Sequence, residues 1–267
     1  MSDTNAIVLC LLLVGAALLG VSAINARQTR KRLINQKIAQ LKRKITELED
    51  IAEAIEALTG NTTAARIVNK EIIDTLVGMR QLEPASPSLE LKIDSTQQRI
   101  EEMSSPGYSC NLDRLCETDA SIAHAQYLLG EAAIIIRKRQ ARGQIEQPQM
   151  TNLIQELSWA HLMVSVISLT GQGHKAMLKG DAMQAHAFYK KAQSSAKESA
   201  IKDERRHDWI RELGEIMSGQ KKTVSLTLMP ESRYNPDEKS TSAAGSQNQT
   251  LASGNTSGNA PDSAPLS

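Results

Sequence analysis

Hydrophobic positions follow three regimes along the chain. In the first, Ala6 to Ile24 reads AIVLCLLLVGAALLGVSAI, 19 residues without a charge. At 1.5 Å per residue this run matches a hydrocarbon core about 30 Å thick. It predicts a transmembrane helix over 6–24, with 1–5 as a short extracytoplasmic N-terminus. Its glycines and serine are tolerated because the backbone bonds of a spanning helix are internal. A signal peptide needs basic residues first and an apolar core of about 7–15 residues. Here Met-Ser-Asp-Thr-Asn precedes a longer core. Val21-Ser22-Ala23 still fits a cleavage site, which leaves open an exported, periplasm-facing protein of the same architecture. Ala16 and Gly20 form a small-xxx-small pair that suits contact with another spanning helix.

The second regime has helical period. Over 27–58, a basic juxtamembrane region runs into a stripe at Ile34, Ile38, Leu41, Ile45, Leu48, Ala52 and Ile55, with alternating steps of four and three. Ile38 and Ile45 at one core position and Leu41 and Leu48 at the other suit a parallel two-stranded coiled coil. The stripe therefore predicts a homodimer. Ile51 and Leu58 widen it, which suits packing inside the chain instead. Gly60-Asn61 ends this helix, and Thr62 or Thr63 caps the next, which runs to about Leu82. Pro84 and Pro87 mark a loop, a third helix covers Ser88 to Met103, and Ser104-Ser-Pro-Gly107 breaks the chain. Asn111 caps a fourth helix reaching Arg142, Pro148 begins a fifth ending at Leu169, and Gly171-Gln-Gly173 reads as a helix break.

The third regime is polar. Within 223–230, Val224, Leu226 and Leu228 alternate with polar residues, predicting a short strand or a docked extended arm. From 237 to 267, 25 of 31 residues are Ser, Thr, Asn, Gln, Gly, Ala or Pro. Such a tail buries too little to offset chain entropy and is expected to be disordered. The fold class is all-α: a transmembrane helix, a membrane-proximal coiled coil, a helical domain over 62–218 and the tail.

Residues 166–199 carry one further pattern. Gly173 stands mid-way along a first helix, Gly180-Asp181 at a turn, and Ala185, Tyr189 and Ala192 along a second helix. This resembles a tetratricopeptide repeat, a helical hairpin. Leu169, Ala176 and Lys197 stand where that family often has Trp, Tyr and Pro. The resemblance implies hairpins stacked in a right-handed array whose concave face binds a peptide or partner protein.

Charge sets orientation and narrows the function. Lys plus Arg is 31 and Asp plus Glu 30. That balance argues against a nucleic-acid binder, as does the lack of any aromatic residue before Tyr108. Eight cations follow the apolar run, Arg27, Arg30, Lys31, Arg32, Lys37, Lys42, Arg43 and Lys44, and no acid stands between the run and Glu47. Cations beside a span stay cytoplasmic, so the domain is expected inside. The cluster is either a topology signal alone or also holds anionic lipid headgroups of the bilayer. Arg137, Lys138, Arg139 and Arg142 complement the end of the fourth helix.

Motifs for catalysis or cofactors are missing from the sequence. Gly171-Gln-Gly-His-Lys175 lacks phosphate-loop spacing. Glu204-Arg-Arg-His207 is a single Glu-x-x-His where a di-iron bundle needs two. Cys110, Cys116 and His124 lack the close pairs of a structural zinc site, and three cysteines suit a reducing compartment. The expectation is a non-enzymatic protein, without cofactor or metal, that acts as a membrane-anchored scaffold or adaptor recruiting a protein partner at a bacterial inner membrane.

Overall fold

The computed structural model describes residues 2–231, with side chains from residue 25 onward. The described residues form seven helices and no strand. These are α1 (Ser2–Thr59), α2 (Thr62–Arg80), α3 (Pro87–Glu102), α4 (Asp119–Ala141), α5 (Gln147–Leu178), α6 (Ala182–Glu198) and α7 (Arg205–Met217). Residues 6–24 lie within α1, and their side chains fall outside the description, as does the whole of the 237–267 tail. The chain divides into two compact units, one from Met1–Glu53 and Asn61–Ser109, the other from Ala54–Gly60 and Cys110–Ser267.

In the first unit, Ile45 and Leu48 of α1 are 2% and 3% exposed. Lys44 Nζ meets Glu71 of α2 at 3.5 Å, and Lys92 of α3 meets Glu49 at 2.9 Å. The lower part of the apolar stripe, through Ala52, is thus buried within the chain. This part of the stripe packs inside the chain, as its widening by Ile51 suits. Ile34, Ile38 and Leu41 are half-buried, and the eight cations from Arg27 to Lys44 are all exposed. The cause is tertiary: α2 and α3 pack together as a hairpin, and ion pairs join α1 to both. α2 buries Ala65, Val68, Ile72, Leu76 and Met79 at helical spacing.

Three helix boundaries and one extended segment depart from expectation. Asn61, not Thr62 or Thr63, caps α2, accepting from the Ala64 N–H at 2.9 Å. Gly60 supplies the left-handed turn, with φ of 65°. Thr118, not Asn111, caps α4, in a reciprocal pair with Ser121. Residues 110–118 form an irregular loop instead of helix, because their polar groups are held from outside. Asp113 N–H donates to Ala57 O at 2.9 Å, and Cys116 N–H to Ser168 Oγ at 2.8 Å. α5 runs past Leu169 to Leu178, so Gly171-Gln-Gly173 is no helix break. Residues 223–229 turn rather than pair as a strand.

α5 organises the second unit. Between Leu162 and Ala176 every residue is buried except Ser165, Gln172 and Lys175. A helix apolar on nearly all sides belongs in a core. Among the described residues α5 is also the one helix long and apolar enough to cross a membrane. In this structure 67% of its most apolar stretch is already covered inside the protein, chiefly by α4 and α6.

The internal packing of the stripe has a direct test. Replacing Leu48 by Asp places a carboxylate in the core of the first unit and is expected to cost on the order of 3 kcal/mol. Replacing Leu41 by Asp is expected to cost about 1 kcal/mol. Urea unfolding of the two variants followed by circular dichroism measures the difference. An intermolecular seam predicts equal losses at the two positions, reversible by raising protein concentration.

Candidate functional site

The hairpin of α5 and α6 is built around a missing side chain. A Cβ on Gly173 would lie 2.4 Å from Tyr189 Cε1 and 2.7 Å from Cδ1. No real contact is that close, so the Tyr189 ring occupies the space a side chain at 173 would need. Ala185 and Ala192, both at 0% exposure, flank Tyr189 on α6 and bring the two helices together. Gly180 makes the turn, with φ of 80°, and Asp181 caps α6 by accepting from the Gln184 N–H at 2.9 Å. Gly173, Ala185, Tyr189 and Ala192 thereby lie along the packed faces of α5 and α6, and Gly180 lies at the turn that joins them.

Sequence reasoning did not single out His174. It is 1% exposed, and its Nδ1 lies 2.9 Å from the Tyr189 hydroxyl, with the rings edge to face at 5.5 Å. Burial pushes the imidazole down to about 4 and the Tyr189 phenol up to about 12. Both groups are therefore neutral near pH 7. Their bond consumes the Tyr189 hydroxyl inside the core. The signal available in the sequence was weak: His174 lies fifteen residues from Tyr189 with no motif joining them.

Gly171 has a similar role on the other side of α5. A Cβ there would lie 2.5 Å from Leu115 Cδ1. Successive residues turn about 100°, so positions 171 and 173 face nearly opposite ways. The loop carrying Leu115 is fixed by Ser168, whose hydroxyl receives the Cys116 N–H and donates to Arg114 O at 3.3 Å. Arg114 grips the chain's later segment: its Nε lies 2.6 Å and its Nη2 3.1 Å from the Glu231 carboxylate. Glu212 of α7 holds the same segment, accepting from Ser225 N–H at 2.8 Å and Ser225 Oγ at 2.9 Å. Burial alone would raise the Glu212 carboxyl, but the bonds from Ser225 and Lys221 outweigh it and hold the group below the usual carboxylate range. With Val224 and Met229 at 2% exposure, residues 223–231 form a strap across the second unit.

Above the hairpin lies an open groove of about 500 Å³. Met177 and Leu178 of α5, Ala182 and Tyr189 of α6, and Ile216 and Met217 of α7 give its apolar lining, and His186, Lys221 and Lys222 its rim. Met177 and Leu178 are 50% and 52% exposed, high for large apolar side chains. Tyr189 touches the groove while almost fully buried, with its hydroxyl bonded to His174. No Asp or Glu lines the groove.

The remaining candidates stay apart. Glu204 and His207 are exposed at the start of α7. Cys110 and Cys116 are free thiols, and burial pushes the Cys116 thiol up against the opposing pull of Ser168 and Ser121. Among the described residues no group of three or more His, Cys, Asp and Glu side chains is placed to hold a metal ion. Comparison with protein-family models, curated proteins and solved structures finds no match for this chain.

Two measurements probe the crossing. Gly173→Ala is expected to destabilise the protein by about 1–3 kcal/mol, because the buried Tyr189 ring cannot swing aside. Gly130→Ala, with nothing within 4 Å of its added Cβ, is expected to stabilise α4 by about 0.5–1 kcal/mol. Thermal melts of both variants against wild type check the opposite signs.

The second measurement is a pH series. The unfolded chain protonates His174 near 6.5, the folded chain only near 4. The unfolded state thus binds more protons between those values, and folding loses stability as pH falls through that window. The loss is expected to reach about 3 kcal/mol by pH 4. Melting midpoints across this range should fall for wild type and fall much less for His174→Gln.

Proposed function

We propose that this chain is a non-enzymatic, membrane-anchored scaffold that recruits a protein partner to a bacterial inner membrane. The groove carries the reading: a solvent-open apolar recess with half-exposed Met177 and Leu178 is surface that a monomer gains nothing by displaying. Methionines at 177 and 217 suit such a surface, since their flexible, polarisable side chains repack against a partner. The glycine-pinned hairpin gives the groove a rigid back wall, and the geometry is compatible with tetratricopeptide-like packing. Anchoring rests on the uncharged run 6–24 and on the exposed cations that follow it, from Arg27 to Lys44. Cations on the C-terminal side of the run support an N-terminus outside and helical units in the cytoplasm.

The topology has a simple test. A reporter joined to the C-terminus of the full chain is expected to be active when it requires the cytoplasm and inactive when it requires the periplasm. Charge reversal of Arg27, Arg30, Lys31 and Arg32 to Glu is expected to lower the fraction with that orientation. Activity of the periplasmic reporter in the wild-type chain overturns the cytoplasmic placement in favour of an exported protein.

A further inference from the structure

We propose that the groove takes an acidic protein segment, one that inserts neighbouring large apolar side chains between Met177, Leu178 and Met217 and sets carboxylates against the Lys222 and His186 rim. The proposal rests on the partner-recruiting reading above and specifies the chemistry of the partner.

Three features of the site select this occupant. The lining is mainly apolar, and the Tyr189 hydroxyl is already engaged by buried His174. The groove therefore rewards apolar side chains, and a wholly polar segment laid on it would leave donors without partners. The rim presents one unpaired cation. Lys222 is exposed and makes no ion pair with any described residue, exposed His186 adds ring nitrogens for hydrogen bonding, and no carboxylate is among the groove's lining residues. Lys221 is different: it is held by Glu212 at 3.0 Å and Glu215 at 3.9 Å, so it keeps the strap closed instead of greeting the partner. Finally, the walls are fixed. α6 is locked on α5 at Gly173, and the turn bearing Lys221 and Lys222 leads straight into the strap tied to Glu212. A pre-formed groove spends little binding free energy on ordering itself. A second copy meeting this groove through the same face is disfavoured because it would bring Lys222 against Lys222.

The test uses the full chain in nanodiscs of zwitterionic lipid, panned against a displayed library of random 12-residue peptides. Enriched peptides are expected to combine two large apolar residues with Asp or Glu. A synthetic copy of the strongest is expected to bind at least about tenfold more weakly to Leu178→Asp and to Lys222→Glu, and more weakly at high salt. Met183→Asp, 85% exposed and outside the groove, is expected to bind as wild type. All variants are checked for an unchanged melting midpoint, and Leu178→Ala replaces Leu178→Asp if the latter melts early. Neutral or basic peptides whose binding is sensitive to position 178 would overturn the acidic partner while leaving partner recruitment intact. Absence of any peptide enrichment would overturn both. Ready disulfide formation between two copies of Leu178→Cys, or displacement of the peptide by laurate, would assign the groove to a second copy or to an apolar anion and overturn the proposal.

Discussion

Two absent side chains on one helix govern the second unit. Gly171 and Gly173 lie on nearly opposite sides of α5, and each is overlain by a side chain that a Cβ would strike. Tyr189 on one side brings α6 close, while Leu115 on the other seats the loop that precedes α4. The free energy gained is that of dense apolar packing without voids. The cost is a helix with two glycines in its interior, each intrinsically unfavourable there by about 0.5–1 kcal/mol. A helix tolerates that only when tertiary contacts enclose it, and α5 is enclosed on most sides between Leu162 and Ala176.

From this crossing the rest of the unit follows by contact. Tyr189 at Gly173 demands a partner for its hydroxyl, and His174, the next residue on α5, provides one. The pair stays neutral, so the core contains a polar bond without a charge. Leu115 at Gly171 positions Arg114, and Arg114 then binds Glu231. The Arg114–Glu231 pair is almost wholly withdrawn from water and bidentate, a geometry in which the ions compensate each other's lost hydration. Glu212 secures the other end of the same strap. The groove is what remains open once these attachments are made, which is why its floor is apolar and its rim basic.

In the first unit the governing interaction is simpler. An amphipathic stripe on α1 meets the apolar face of the α2–α3 hairpin, and salt bridges at Glu49 and Glu71 flank it. A stripe with heptad spacing has no means of recording whether its partner belongs to the same chain. Wide stripes suit a partner pair of helices, and Ile51, buried beside the strict seam, serves that purpose.

The sequence by itself determined the helical class, the approximate placement of most helices and the turns at Gly60 and Gly180, because these depend on periodicity, caps and positive φ, all local properties. It also determined the charge asymmetry that follows residue 24. Tertiary structure decided the rest. Asn111 and Thr118 are both competent caps, and the choice fell to Thr118 because residues 110–118 find hydrogen-bond partners at Ala57 and Ser168. Gly171-Gln-Gly173 carries the local signature of a break, yet Leu115 and Tyr189 fill both sides and keep the helix continuous. The alternation at Val224, Leu226 and Leu228 suits a strand, but the segment bonds to Glu212 and Arg114 instead of to another strand. His174, Glu212 and Glu231 became structural residues only through contacts with distant parts of the chain. Local chemistry sets which conformations are open to a segment, and long-range burial and hydrogen bonding choose among them.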